Sequence, residues 1–74
     1  MSKLPVVSGR DVAKAFGKLG YALDRQSACH LILRNATSPH RRLTVPDHRT
    51  IAKGTLRALI REAGLTVEEF IALL

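Results

Sequence analysis

His30, His40 and His48 are the only imidazoles in this 74-residue chain, and they stand among twelve lysines and arginines. Histidine titrates near neutrality, so a positioned one can take a proton from a ribose 2′-hydroxyl or give one to a leaving oxygen. Lysine, arginine or the N–H groups of a helix start can hold the charge that builds on the phosphorus. Metal-free cleavage of an RNA strand needs this combination. His30 is the best placed of the three, because the apolar run Cys29-His-Leu-Ile-Leu33 reads as a rigid central strand with Arg25 and Arg34 on either side. The competing reading of His30 is an exposed or hydrogen-bonded structural histidine. His48 follows Pro46, where it can position a phosphate or stabilise a loop, and His40 beside Arg41 and Arg42 reads as part of a solvated basic edge.

A second candidate lies in Lys53-Gly-Thr-Leu-Arg-Ala-Leu-Ile-Arg-Glu-Ala-Gly64. A helix opening here would offer unpaired N–H groups at Lys53, Gly54 and Thr55, with a full charge from Lys53 and no side chain at Gly54 to block close approach. That suits a phosphate. The charge distribution agrees. All twelve cations lie between Lys3 and Arg61, opposed there only by Asp11, Asp24 and Asp47, so residues 1–61 carry +9, while Glu62, Glu68 and Glu69 make the tail acidic. Arg25, Arg34, Arg41, Arg42 and Arg57 can form an electrostatic track for a polyanion, displacing the counterions condensed on its phosphates. A merely solvated surface is the plainer account of the same charges.

Other chemistries fit less well. One cysteine cannot form an internal disulfide, so a reducing cytoplasm is expected, and Met1 to Val7 lacks the apolar core of a signal peptide. No apolar run approaches the ~20 residues that span a bilayer. No histidine or cysteine pair shows zinc-finger spacing, so neither a metal nor a small-molecule cofactor is expected. Neighbouring positions on a strand point to opposite faces, which denies Cys29 and His30 a common target and makes Cys29 a small buried apolar residue.

Local patterns supply the elements that must position these groups. Ser8-Gly-Arg-Asp11 has the form of a capping box, and Val12, Ala15, Phe16 and Leu19 follow at helical spacing up to Gly20, with Lys14 and Lys18 off the stripe. The period then becomes two: Tyr21 and Leu23 alternate with Ala22 and Asp24, a break falls near Ser27, and a second strand carries His30 outward if Leu31 and Leu33 are core. Asn35 to His40 is a turn cluster, and Leu43 and Val45 mark a third strand ended by Pro46. Leu56, Leu59, Ile60 and Ala63 predict a second helix stopped by Gly64. A box at Thr66-Val-Glu-Glu69 opens a short last helix with Val67, Phe70, Ile71 and Leu74 on one stripe. The expectation is one α+β domain over residues 1–74, a three-stranded antiparallel meander with helices on one face.

Several of these residues together resemble a known family. Gly20-Tyr21, Arg25-Gln26, the histidine of the second strand, Val45-Pro46 with His48, Lys53-Gly-Thr-Leu and Glu62-Ala-Gly-Leu-Thr-Val-Glu-Glu-Phe70 resemble the HicA toxins, mRNA interferases of toxin–antitoxin systems, over Ser8 to Phe70. The resemblance implies a double-stranded-RNA-binding-like α-β-β-β-α fold, metal-independent endoribonuclease cleavage of mRNA with His30 as the catalytic residue, and neutralisation by a HicB-like antitoxin. Where such sequences usually read Gly-Ser-His or Gly-Thr-His, this chain reads Ala28-Cys29-His30.

The expected function is therefore a toxin of a type II system that cleaves mRNA. His30 would act as acid or base, Lys53 with the Gly54 and Thr55 amides would hold a phosphate, and Arg25, Arg34, Arg41, Arg42, Arg57 and His48 would complete the RNA-binding surface. The rivals are a noncatalytic double-stranded-RNA-binding module and a subunit, or degenerate toxin, that only binds a protein partner.

Overall fold

The computed structural model describes residues 3–74; Met1 and Ser2, with the parts of the signal-peptide and whole-chain expectations that fall on them, lie outside it. The element order is α1 (Gly9–Gly17), β1 (Tyr21–Ser27), β2 (His30–Asn35), β3 (Arg42–Pro46), α2 (Lys53–Glu62) and α3 (Val67–Ala72). This is the expected α+β, double-stranded-RNA-binding-like arrangement. The strands form one antiparallel sheet in the order β1-β2-β3.

Both predicted capping boxes are present. At α1 the Asp11 N–H donates to the Ser8 hydroxyl at 3.0 Å and the Ser8 N–H donates to the Asp11 carboxylate at 3.1 Å. At α3 Glu69 N–H donates to Thr66 Oγ1 at 3.1 Å and Thr66 N–H to the Glu69 carboxylate at 2.8 Å. Each box satisfies donors that a helix start leaves without intrahelical partners. The start of α2 has no such box: its cap residue is Ala52, no side chain bonds the first N–H groups, and no acid lies in the first turn.

Val12, Ala15 and Phe16 of α1, Leu31 and Leu33 of β2, Leu43 and Val45 of β3, Leu56, Leu59 and Ile60 of α2, and Phe70 of α3 are buried together with Val7, Tyr21 and Ile51. The helices therefore cover one face of the sheet. Phe16 stands at the centre of this core, with ring centroids 5.8 Å from Tyr21 and 5.6 Å from Phe70, so all three aromatic residues of the chain are spent on packing.

The structure corrects several sequence expectations. Helix α1 ends at Gly17, and Leu19 lies beyond it in a turn closed by Gly20 at φ +96°, outside the buried core and partly exposed. Cys29 is not a buried strand residue: Ala28 and Cys29 form the tip of the β1–β2 hairpin, and Cys29 is exposed. Leu23 pairs with Leu33 on the helix side of the sheet, yet it borders an open cleft with Arg10 and Ala13 of α1 and is 54% exposed. Ile71 and Leu74 also project to the surface, and Leu73 packs against the core instead.

One close approach ties the layers together. A Cβ added to Gly9 would clash with the Pro46 carbonyl, while the Gly9 N–H donates to His48 O at 2.9 Å and Ile51 N–H donates to Val7 O at 2.9 Å. The loop from β3 to α2 thus runs against the backbone entering α1, and only glycine lets the two chains come so near.

Candidate nucleic-acid interface

Residues directly opposite each other in an antiparallel pair point to the same side of the sheet, so the register identifies the uncovered face. Three cross-strand rows face away from the helices: Ser27, His30 and Pro46; then Arg25, Ile32 and Thr44; then Ala22, Arg34 and Arg42. His30 is exposed at the hairpin end, and Ile32 beside it is half-buried among its neighbours. Buried Leu31 and Leu33, alternating with these on β2, fix the opposite face as core.

The placement of Arg25 depends on an irregularity. Leu23 pairs with Leu33 on the core side, but Arg25 pairs with Ile32 on the open side, so Asp24 is the extra residue of a β-bulge. Without that insertion, residues 21, 23, 25 and 27 would share one face. The bulge inverts the alternation and brings Arg25 and Ser27 to the side of His30. Ser27 and Thr44, which period-two reading of the sequence does not single out, add two hydroxyls there.

Arg34 and Arg42 form a directly opposed pair of like charges, an arrangement that costs stability on a sheet. Four steps along β2 from His30 to Arg34, at about 3.3 Å each, separate imidazole and arginine pair by roughly 13 Å. The three rows thus carry one imidazole and three guanidinium groups, and the unpaired bulge residue Asp24 lines a cleft with Ala22 and Arg34 beside the third row. The three rows hold no phenylalanine, tyrosine or tryptophan ring, and their cationic groups suit contact with the sugar–phosphate chain.

The other expected phosphate-binding residues are elsewhere. Lys53, Gly54, Thr55 and Arg57 are exposed on α2, whose apolar stripe packs on the core side of the sheet. Lys53 and Arg57 line a cleft of about 330 Å³ with Lys3 and Leu4, and no sheet residue borders it. A side chain at Gly54 would meet nothing within 4 Å, so the fold itself imposes no glycine at that position.

Arg41 precedes β3 and donates from Nη1 to the Glu62 carbonyl at 3.3 Å, where a cation suits the C-terminal end of α2. His40 sits in the turn at φ +59°, its N–H donating to Thr37 O at 2.8 Å and its Nδ1 3.1 Å from Asn35 O. His48 contributes its carbonyl to the Gly9 contact while its side chain stays exposed. Among the described residues no three His, Cys, Asp or Glu side chains converge as a metal site would require. No helix of the described residues is long and apolar enough to cross a membrane.

A family model described as the HicA toxin of bacterial toxin–antitoxin systems matches residues 9–65, which span α1, the whole sheet and α2. No curated protein matches the chain.

Proposed function

The chain belongs to the HicA toxin family of bacterial toxin–antitoxin systems, and from that premise we propose that it is a cytoplasmic endoribonuclease that cleaves mRNA on the open face of its sheet. A cognate antitoxin follows from the family; that it is HicB-like is part of the proposal. The observation that carries the reading is the convergence of Arg25, His30, Arg34 and Arg42, from three strands, on the one sheet face the helices leave bare.

In this mechanism His30 removes the proton from a ribose 2′-hydroxyl. The 2′-oxygen forms a bond to the adjacent phosphorus, the bond from phosphorus to the 5′-oxygen breaks, and water supplies the proton that the departing oxygen requires. The strand ends are a 2′,3′-cyclic phosphate and a 5′-hydroxyl. No metal is needed, because the guanidinium groups supply the positive field and the imidazole handles the proton. Arg34 and Arg42 hold the strand farther along the sheet, and an anion between them relieves their mutual repulsion.

Lys53, with the Gly54 and Thr55 amides and Arg57, forms an accessory phosphate contact at the uncapped start of α2. Lys53 stands at the positive end of that helix, where a cation is disfavoured by about 0.3–1 kcal/mol until an anion binds. His48 and Arg41 act through the backbone contacts that shape the loop and the helix end. Among the described residues no set of side chains is arranged to read base edges, which supports weak sequence preference.

The test is incubation of the purified chain with a defined single-stranded RNA in the presence of a metal chelator. The proposal expects strand breaks bearing cyclic phosphates. A chain that binds RNA but leaves it intact would instead be the noncatalytic binding module.

A further inference from the structure

We propose that Ser27 and Arg25 form the phosphate-holding half of the His30 site: the Ser27 hydroxyl and the Arg25 guanidinium donate to the non-bridging oxygens of the phosphate on which His30 acts. This rests on the cleavage reading above and adds the groups that bear the developing charge.

Register and the bulge carry the argument. Ser27 is paired directly with His30 across the two-residue tip Ala28-Cys29, and directly opposed Cβ atoms lie about 4.5–5.5 Å apart. Arg25 is diagonal to His30, where Cβ separations of roughly 7–8 Å are within reach of a long side chain. Both residues reach this face only because Asp24 is inserted in β1, and such bulges recur where a strand must re-aim side chains at a site.

Ser27, Arg25 and His30 are all exposed, and among the described residues none accepts or donates a side-chain hydrogen bond to any of them. Each is available to a ligand. The spacing also suits their division of labour. A phosphate seated between the strands can receive one O–H from Ser27 and two N–H groups from Arg25, and the imidazole approaches from β2 toward the neighbouring 2′-oxygen. The sequence departure at Ala28-Cys29 bears on this arrangement. The exposed cysteine is a weaker donor than the hydroxyl usual beside this histidine in similar sequences, and Ser27 places a hydroxyl on the open face one strand away.

The experiment compares the full chain with Ser27→Ala, Ser27→Thr, Arg25→Ala and His30→Ala on one single-stranded RNA oligonucleotide, reading kcat and KM separately across pH. Removing a donor aimed at developing charge lowers kcat, by about 10²–10³ for a fully enclosed one. On this open face Ser27→Ala should therefore lose roughly tenfold or more in kcat with KM little changed, and the pH at which the profile turns should stay where the parent's is. Ser27→Thr should recover most of the rate, and Arg25→Ala should lose at least as much as Ser27→Ala. A parental kcat for Ser27→Ala, or a rise in KM alone, overturns the inference while inactivity of His30→Ala leaves the cleavage reading standing. Parental cleavage by His30→Ala overturns the reading, and this inference with it. Ser27 is exposed at a hairpin end, so circular dichroism should find the variants folded.

Discussion

Two basic regions of this small protein are built by different means. On the open sheet face, backbone pairing sets the spacing of His30, Arg25, Arg34 and Arg42 to within the tolerance of a strand register. At the start of α2, Lys53 and Arg57 share a cleft with Lys3 on flexible arms around a helix end that no side chain caps. Chemistry on a phosphodiester needs groups held in fixed relation, whereas electrostatic attraction needs only charge within a Debye length. In the proposed function, bond breaking therefore belongs to the sheet and a share of the grip to the helix.

The loop between β3 and α2 joins the two regions, and Gly9 is what lets it lie against α1. Gly9→Ala should lower stability by about 1–3 kcal/mol, because the blocking atoms belong to backbone that cannot swing aside. The gain in helix propensity from alanine, at most about 1 kcal/mol, does not offset this. Urea unfolding checks the loss. Parental stability would mean that the regions are coupled more loosely than the contact implies.

Within the sheet, Arg34→Glu should separate folding from binding. It converts a like-charge pair into an attractive one with Arg42, worth roughly 0.2–1 kcal/mol of added stability, yet it should weaken RNA binding and reduce its salt dependence. Titration of RNA at several salt concentrations, beside thermal unfolding, gives both signs. If stability falls or RNA binding is unchanged, Arg34 is not part of the RNA face.

The smallest expected effect lies outside both regions. The hydrogen bonds from the Ser8 backbone and hydroxyl, with the nearby Lys14, hold the Asp11 carboxyl below its usual value of 3.8. A depressed carboxylate contributes stability above its unfolded pKa and loses that contribution as pH falls through its folded value. Stability should therefore decline on acidification below about pH 4, and Asp11→Asn should flatten that limb slightly while leaving RNA cleavage at neutral pH unaltered. Unfolding midpoints measured across acidic pH decide it, and an equally steep limb in the variant would remove Asp11 from the account.

Much of this architecture was legible in the chain because its causes are local. The two capping boxes, the stripe Val12-Ala15-Phe16, the stripe Leu56-Leu59-Ile60 and the alternation of Leu43 with Val45 each depend on neighbours a few residues away. What was hidden depends on partners far along the chain. The need for glycine at position 9 comes from Pro46, and the environment of Arg41 comes from Glu62. The Asp24 bulge defeats period-two reading, which is why Arg25 and Ser27 were not recognisable as sharing a face with His30. Cys29 was misread because the break was expected near Ser27, which left Cys29 at the head of the apolar run, whereas the hairpin tip is Ala28-Cys29 and β2 begins at His30.

The measurement that bears most directly on the division of labour is single-turnover cleavage of one RNA by His30→Ala and Lys53→Ala at saturating protein. The account predicts that His30→Ala slows cleavage by ~10²-fold or more at saturation, while Lys53→Ala cleaves at the parental rate once bound and differs only in needing more protein and in a salt slope smaller by about one ion. The reverse pattern, a saturating rate lost with Lys53 and kept without His30, would contradict it.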